Sequence, residues 1–227
     1  VKVSVKPRVA IVSNGDELIS IDKKPQDYQT RVSNSYALKS LLDASNLATT
    51  QIFHYPDNPK TLQAALAKNI KDFDMVILSG GVSMGEFDHV PDVLTKLKVK
   101  MLFHKVAQKP GKPLWFGKTN GGKIVFALPG NPVSTQICAY RYVMPFLRKS
   151  AGLKVAQEYA TLLQTPKVDT ELTSFLPVTI SDKNGLRIAQ VIPTGGSGDF
   201  ATLAQADGFI EYEQSQKTVW PYFNWRV

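Results

Sequence analysis

A chain of 227 residues with 43% hydrophobic content is long and apolar enough for one large core or two ordinary ones, which excludes a disordered or fibrous polymer. No apolar run approaches the roughly 20 residues of a membrane helix, and the opening VKVSVKPRVAIVS has no signal-peptide layout. The net charge of +8 is uneven: residues 1–150 hold 21 Lys and Arg against 11 Asp and Glu (+10), and residues 151–227 hold 6 against 8 (−2). A basic part of this kind fits nucleic acid or a phosphorylated small molecule, or plain solubility charge, because the lysines lie singly. The single cysteine, Cys138, can form no internal disulfide, and His54, His89 and His104 lack metal-ligand spacing, so a structural zinc is not expected. Cytoplasmic residence is expected. The chain begins at Val1 and reads as a piece of a longer one.

From Arg8 to Ser150, short β-branched runs alternate with helix-length segments. The runs are Val9–Ser13, Met75–Leu78 and Ile124–Leu128; the helical segments include Ser35–Ser45 and Pro59–Ile70. This is the pattern of βαβ units, and it predicts a three-layer α/β/α domain over residues 1–152 with a mostly parallel sheet. Asn34 or Ser33 can cap the first helix. Asn58 can cap the second, with Pro59 in its first turn and Leu62, Leu66 and Ile70 on one face. After Gly152 the helical spacing stops. Alternating stretches at Leu172–Ile180, Leu186–Val191, Gly208–Tyr212 and Thr218–Tyr222, broken by DKNG, PTGGSGD and EQSQ, predict a small all-β barrel or sandwich domain over residues 153–227. Trp220, Tyr222, Phe223 and Trp225 read as packing of the final strand.

In an open parallel sheet, ligands bind beyond the carboxyl ends of the strands. Four loops therefore stand out. In SNGDEL, Gly15 permits a tight turn with Asp16 and Glu17 at its lip; alone it reads as an ordinary turn carrying solvated acids. In SGGVSMGEFD, the backbone N–H groups of Ser79, Gly80 and Gly81 can approach a phosphate and Ser83 can bind an oxyanion. Glu86 and Asp88, two residues apart, can hold a hard cation such as Mg2+. A plain turn, with Asp88 capping a helix that starts near Val90, leaves the glycine pair and Ser83 idle. In QKPGKPLWFG, Lys109 and Lys112 stand around a stiff Pro-Gly turn as a cationic clamp. In LPGNPVSTQ, Asn131 can cap and Pro132 can begin a helix running toward Lys149, whose free N–H groups favour an anion.

Together and in this order, SNGDEL, SNSYAL, DMVILSGGVSMGEFDHV, KPGKPLWFG and LPGNPVS resemble the molybdopterin molybdenumtransferase family, MoeA in bacteria and the gephyrin E-domain type in eukaryotes. The resemblance is strong over about residues 5–152 and weak over the β tail. It implies a reaction in which molybdate is inserted into the dithiolene of adenylylated molybdopterin, with Mg2+-dependent loss of AMP. It implies that Ser83, Lys109 and Lys112 bind molybdate or the pterin phosphate, as lysines beside a dianion stabilise it electrostatically. Asp74, Glu86 and Asp88 fall on the metal and nucleotide side, with Glu86 and Asp88 as metal ligands, and Glu17 falls in the family's acidic loop. Further contacts to the pterin ligand are implied for Ser79, Gly80, Gly81, Pro113, Pro129, Gly130, Asn131, Pro132 and Ser197.

A homodimer is also implied, with the adenylyltransferase of the same pathway as a partner and with neither a nucleic acid nor a membrane. Family sites form at a dimer cleft that further N-terminal domains line, so this piece is expected to hold half of each site. The β tail departs from the family pattern at Phe175-Leu176-Pro177 and at Gly198-Asp199. Three other readings compete. A pterin adenylyltransferase on the same fold predicts ATP turnover without need of the β tail. A non-catalytic scaffold of the gephyrin type is second, and nucleic-acid binding is the weakest.

Overall fold

The computed structural model describes residues 3, 5–82, 89–154, 156–168, 171–196, 198–214 and 217–225. In chain order it holds β1 (Arg8–Asn14), β2 (Leu18–Ile19), β3 (Thr30–Arg31), α1 (Asn34–Ser45), β4 (Thr49–Tyr55), α2 (Pro59–Asp72), β5 (Met75–Ser79) and α3 (Val90–Lys96). Next come β6 (Lys100–His104), β7 (Gln108–Lys109), β8 (Trp115–Lys118), β9 (Ile124–Leu128), α4 (Pro132–Cys138), a π-helical turn (Ala139–Val143) and α5 (Met144–Ser150). The chain continues with β10 (Glu158–Leu162), β11 (Thr173–Lys183), β12 (Leu186–Val191), α6 (Phe200–Gln205), β13 (Gly208–Tyr212) and β14 (Trp220–Asn224).

The first large sheet has the order β4-β1-β5-β9-β8-β6. Its first four strands are parallel, and β8 and β6 add an antiparallel edge. Strand alternation divides its apolar residues between two helical layers. Val9, Ile11, Met75, Ile77, Phe126 and Leu128 meet Leu38 and Leu42 of α1 and Leu147 of α5 on one face. Ala10, Val12, Val76, Leu78, Val125 and Ala127 meet Leu62 and Leu66 of α2 and Val90, Val93 and Leu94 of α3 on the other. The three-layer α/β/α arrangement is therefore the one the periodicity predicts. Because β1 lies between β4 and β5, the chain leaves it in one direction and returns on the other side. That reversal opens a crevice beyond the carboxyl ends of β1 and β5.

The second sheet closes on itself. Its order β12-β10-β14-β13-β11 is completed by pairing of β11 with β12, which makes a five-stranded barrel without free edges in the ring. Ala160, Val178, Ala189, Ile210, Tyr212, Trp220 and Tyr222 fill it. On its outer face Phe175 and Phe209, with Phe223 and Trp225 beside them, pack against Val133 and Ile137 of α4. The aromatic residues of the last strand thus pack on both faces, inside the barrel and against the α/β layer.

The structure differs from the sequence expectation at several points. Asn58 caps α2 as expected, accepting from the N–H groups of Lys60 and Thr61 at 3.1 Å. Neither Ser33 nor Asn34 caps α1, because the Asn34 side chain turns away toward neighbouring loops. Asn131 does not cap α4 either. The helix expected from Pro132 toward Lys149 is two short α segments joined by the π-helical turn. Helical structure also does not stop at Gly152: α6 follows the PTGGSGD turn, capped by Asp199, whose carboxylate accepts from the Thr202 N–H at 3.1 Å and the Gly195 N–H at 2.9 Å. The Thr202 hydroxyl also donates to this carboxylate, and that bond, followed by those two, holds the Asp199 carboxyl down at about 2. Finally, β7 belongs by hydrogen bonding to the barrel sheet, pairing in parallel with Thr173 and Ser174.

Candidate functional site

At the carboxyl edge of the parallel sheet two glycine loops come within contact of each other. Gly80 (φ 104°) and Gly81 (φ 70°) occupy the left-handed region open to glycine, and the Gly80 N–H donates to the Leu128 carbonyl at 3.1 Å. A Cβ on Gly130 would stand 3.2 Å from the Gly80 Cα, so the loop after β9 closes on the loop after β5 without crowding because Gly130 is bare. Asn34 stitches the two. Its amide nitrogen donates to Ser79 Oγ at 2.8 Å and to the Gly130 carbonyl at 2.7 Å.

Oxygen donors gather on the β1 side of this seam. Asn14, the last residue of β1, is 6% exposed and lies against Gly81, where a Cβ would be 3.1 Å from its Nδ2. Its Nδ2 donates to Asp57 Oδ1 at 3.3 Å, while its Oδ1 is buried without a partner among the described residues. The Asp57 N–H in turn donates to Asp16 Oδ1 at 3.0 Å. Glu17 is exposed, and its carboxyl folds back over Gly15, where a Cβ would meet it at 2.5–2.8 Å. Asn131 Oδ1 is a second buried acceptor without a partner among the described residues. Buried acceptors left open in this way cost stability unless a donor or a cation meets them.

The lysine loop stands at the same edge. Trp115, which opens β8, is level with Ala127 near the end of β9, and His104, which closes β6, is level with Trp115. Residues 105–114 therefore turn at the edge where β1, β5 and β9 end, and His104 Nε2 lies 3.4 Å from the Val82 carbonyl in the loop after β5. Lys109 and Lys112 are exposed there, Pro113 is half-buried, and the Lys109–Pro110 bond is cis. Pro129 is buried and its carbonyl accepts from Thr135 Oγ1 at 2.6 Å, which fixes the start of α4 at Pro132.

Asp74 is not in this group. It precedes β5, at the opposite edge of the parallel sheet from Ser79, and about 16 Å of strand separates the two edges. There it accepts from the Arg8 N–H and from Lys123 Nζ, both at 2.9 Å, and those two bonds hold its carboxyl below the usual carboxylate range. It closes the amino ends of β1 and β5, and the structure does not bring it together with the strand-end loops, with which the expectation for the metal and nucleotide side groups it. Ser83, Glu86, Asp88 and Ser197 lie outside the described residues. Sequence reasoning passed over Asn14, Asn34 and Asp57. Their signal was weak, since Asn14 reads as part of a turn, Asn34 as a cap and Asp57 as the lead-in to α2.

A cavity of about 1070 Å3 lies elsewhere, between α1, the α4–α5 segment and the barrel, lined among others by Leu41, Tyr140, Arg148, Phe223 and Trp225. It flanks the sheet and does not reach the strand-end loops. Among the described residues no cluster of three His, Cys, Asp or Glu could hold a metal by itself, and no helix is long and apolar enough to cross a membrane.

Comparison with known proteins bears on this edge. Residues 10–149 match a family described as a probable molybdopterin binding domain, and residues 160–220 match the MoeA C-terminal region, domain IV. A molybdopterin molybdenumtransferase of Synechocystis is 37% identical over 99% of this chain and 57% of its own length. A gephyrin of Dictyostelium discoideum is 33% identical over 73% of this chain and 27% of its own. A solved molybdopterin biosynthesis MoeA protein of Pyrococcus horikoshii superposes with a TM-score of 0.80 at 26% identity, over 98% of this chain and 55% of its own. The chain spans about half the length of the curated transferases it matches over most of its residues.

Proposed function

The chain belongs to the molybdopterin molybdenumtransferase family of MoeA and gephyrin type, and we propose that its strand-end crevice serves molybdenum insertion into adenylylated molybdopterin with Mg2+-dependent release of AMP. The observation that carries the reading is the placement at one edge of two kinds of group. The stitched glycine loops and open acceptors of Asn14 and Asn131 lie beside the β1–β5 crevice, and the exposed Lys109 and Lys112 turn lies along the same edge. Bare glycines let an anionic group approach the backbone at Gly81, since the Gly80 N–H is spent on the Leu128 carbonyl. Two lysines on a stiff turn neutralise an oxyanion, either molybdate or the pterin phosphate, without forming a covalent bond. Asn131 Oδ1 is open to a donor, which a pterin ring supplies, and Asn14 Oδ1 to a donor or a cation.

The donors near Asn14 are all oxygen, from Asn14, Asp16 and Asp57, and this set suits a hard dication better than zinc. Glu86 and Asp88, the metal ligands that the family resemblance implies, would hold Mg2+, and the Asp16 and Asp57 carboxylates beside Asn14 would add oxygen to that set. When bound, Mg2+ offsets negative charge on phosphate oxygens near the departing AMP. The pairing of β7 with the barrel favours this transferase reading over a single-domain adenylyltransferase, since the lysine turn here depends on the second sheet. Assembly as a homodimer, supply of substrate by an adenylyltransferase and action in the cytoplasm complete the proposal.

The test follows AMP release from adenylylated molybdopterin with Mg2+ and molybdate. We expect release that requires molybdate and falls roughly 100-fold or more in Lys112→Ala, the scale of losing one preorganised oxyanion contact. Release that is indifferent to molybdate, or unchanged in Lys112→Ala, overturns the assignment.

A further inference from the structure

Beneath the exposed lysines, the turn 109–112 rests on buried groups contributed by another element. Gln108 is 1% exposed and uses both ends of its amide. Its Oε1 accepts from the Tyr142 hydroxyl, and its Nε2 donates to the Pro110 carbonyl at 3.1 Å and to Cys138 Sγ at 3.6 Å. The Cys138 thiol donates to the Gly111 carbonyl at 3.8 Å. Gly111 (φ 96°) is pressed onto this network so closely that a Cβ would lie 2.5 Å from Gln108 Nε2 and 2.8 Å from Cys138 Sγ. Burial pushes both the Cys138 thiol and the Tyr142 hydroxyl up to about 12, so each keeps its proton to donate at neutral pH.

Tyr142 stands in the π-helical turn, and its two predecessors point to the barrel. The Tyr140 hydroxyl donates to the Trp225 carbonyl at 3.3 Å, and Arg141 makes a bidentate pair with Glu211 of β13 at 2.8 and 3.1 Å. Such turns recur inside helices at functional sites. Here three consecutive residues reach partners at the chain end, in the barrel wall and under the lysine turn. The backbone repeats the link, because β7 pairs with β11 and the Thr173 N–H donates to the Ala107 carbonyl at 3.0 Å.

From this geometry we propose that Gln108 and Tyr142 are positioning residues that set where Lys109 and Lys112 stand at the strand-end edge and tie that position to the barrel. The proposal rests on the reading of the two lysines as oxyanion ligands. A polar network that only stabilised the fold would respond to the loss of any hydroxyl on the π-helical turn, whereas a positioning role is confined to Tyr142.

The experiment compares Tyr142→Phe with Tyr140→Phe in the full chain, using molybdate alone as the probe in calorimetric titration and the backbone amide resonances of Gly111 and Lys112 as the local readout. Tyr142→Phe strands Gln108 Oε1 without its donor, and we expect it to move both resonances and weaken molybdate binding about tenfold. Tyr140→Phe, which removes a hydroxyl from the same turn, is expected to leave both unchanged. Resonances that stay in place in Tyr142→Phe, or move equally in Tyr140→Phe, overturn the positioning role. A wild-type chain that takes up no molybdate defeats the oxyanion reading alone, because the resonances still decide whether Tyr142 sets the loop.

Discussion

Asn34 illustrates how a single residue can be read correctly for type and wrongly for task. An Asn before an apolar helical run is a capping signal, yet its amide crosses the crevice to Ser79 Oγ and Gly130 O. Replacing it with Ala leaves the buried Ser79 hydroxyl without that donor and releases two loops that close on each other at Gly130. We expect Asn34→Ala to cost about 1–3 kcal/mol in urea unfolding, where Asn34→Asp keeps the shape but loses the donor. Equal stability of wild type and Asn34→Ala would show that the stitch carries no weight. The same scale explains Asp74 and Asp57. Both are acids at the margins of strands, and only the direction of the strand decides that one lies at the amino edge of the sheet and the other at its carboxyl edge.

At the scale of elements, the segment from Pro132 to Ser150 reads as one helix and folds as two joined by a π-helical turn. The sequence signal for the break is Pro145, which has no N–H and whose ring crowds the carbonyl four residues back, at Arg141 inside the turn; the single-helix reading passed over it. The segment carries a pH consequence. In the unfolded chain Cys138 and Tyr142 release protons near their ordinary values of 9.0 and 10.0, whereas burial in the folded chain holds them to about 12. Their contribution to stability is complete below pH 9 and is lost as the pH rises toward 12, because there the unfolded state binds fewer protons. Denaturation midpoints should fall across that window, and the fall should be shallower in Cys138→Ala. A slope unchanged by the substitution would locate the alkaline loss elsewhere.

For the whole molecule, the barrel is joined to the α/β layer by an apolar contact as well as by the lysine turn. Phe209 is fully buried, stacked on Phe223 at 4.8 Å and edge-on to Phe175 at 5.6 Å, in a cluster with Val133 and Ile137 of α4. Phe209→Ala should therefore cost about 3–5 kcal/mol and separate one calorimetric transition into two, because it empties the contact between the units. A single transition at an unchanged midpoint would mean that the two parts are coupled through other groups.

Local pattern was enough to determine the layers of the first part, the β character of the second and the glycine and proline loops at the carboxyl edge of the first sheet. Those features depend on residues a few positions apart: alternation at two, helical recurrence at three and four, and glycine or proline at a turn. Only the tertiary structure decided which side chains meet. Asn14 reaches Asp57 across 43 residues, Asn34 reaches Gly130 across 96, and two residues of the lysine loop pair with a strand of the barrel. Such meetings follow from strand order and from the packing of one sheet on another. Neither leaves a period in the sequence, because the partners share an edge in space and no neighbourhood along the chain.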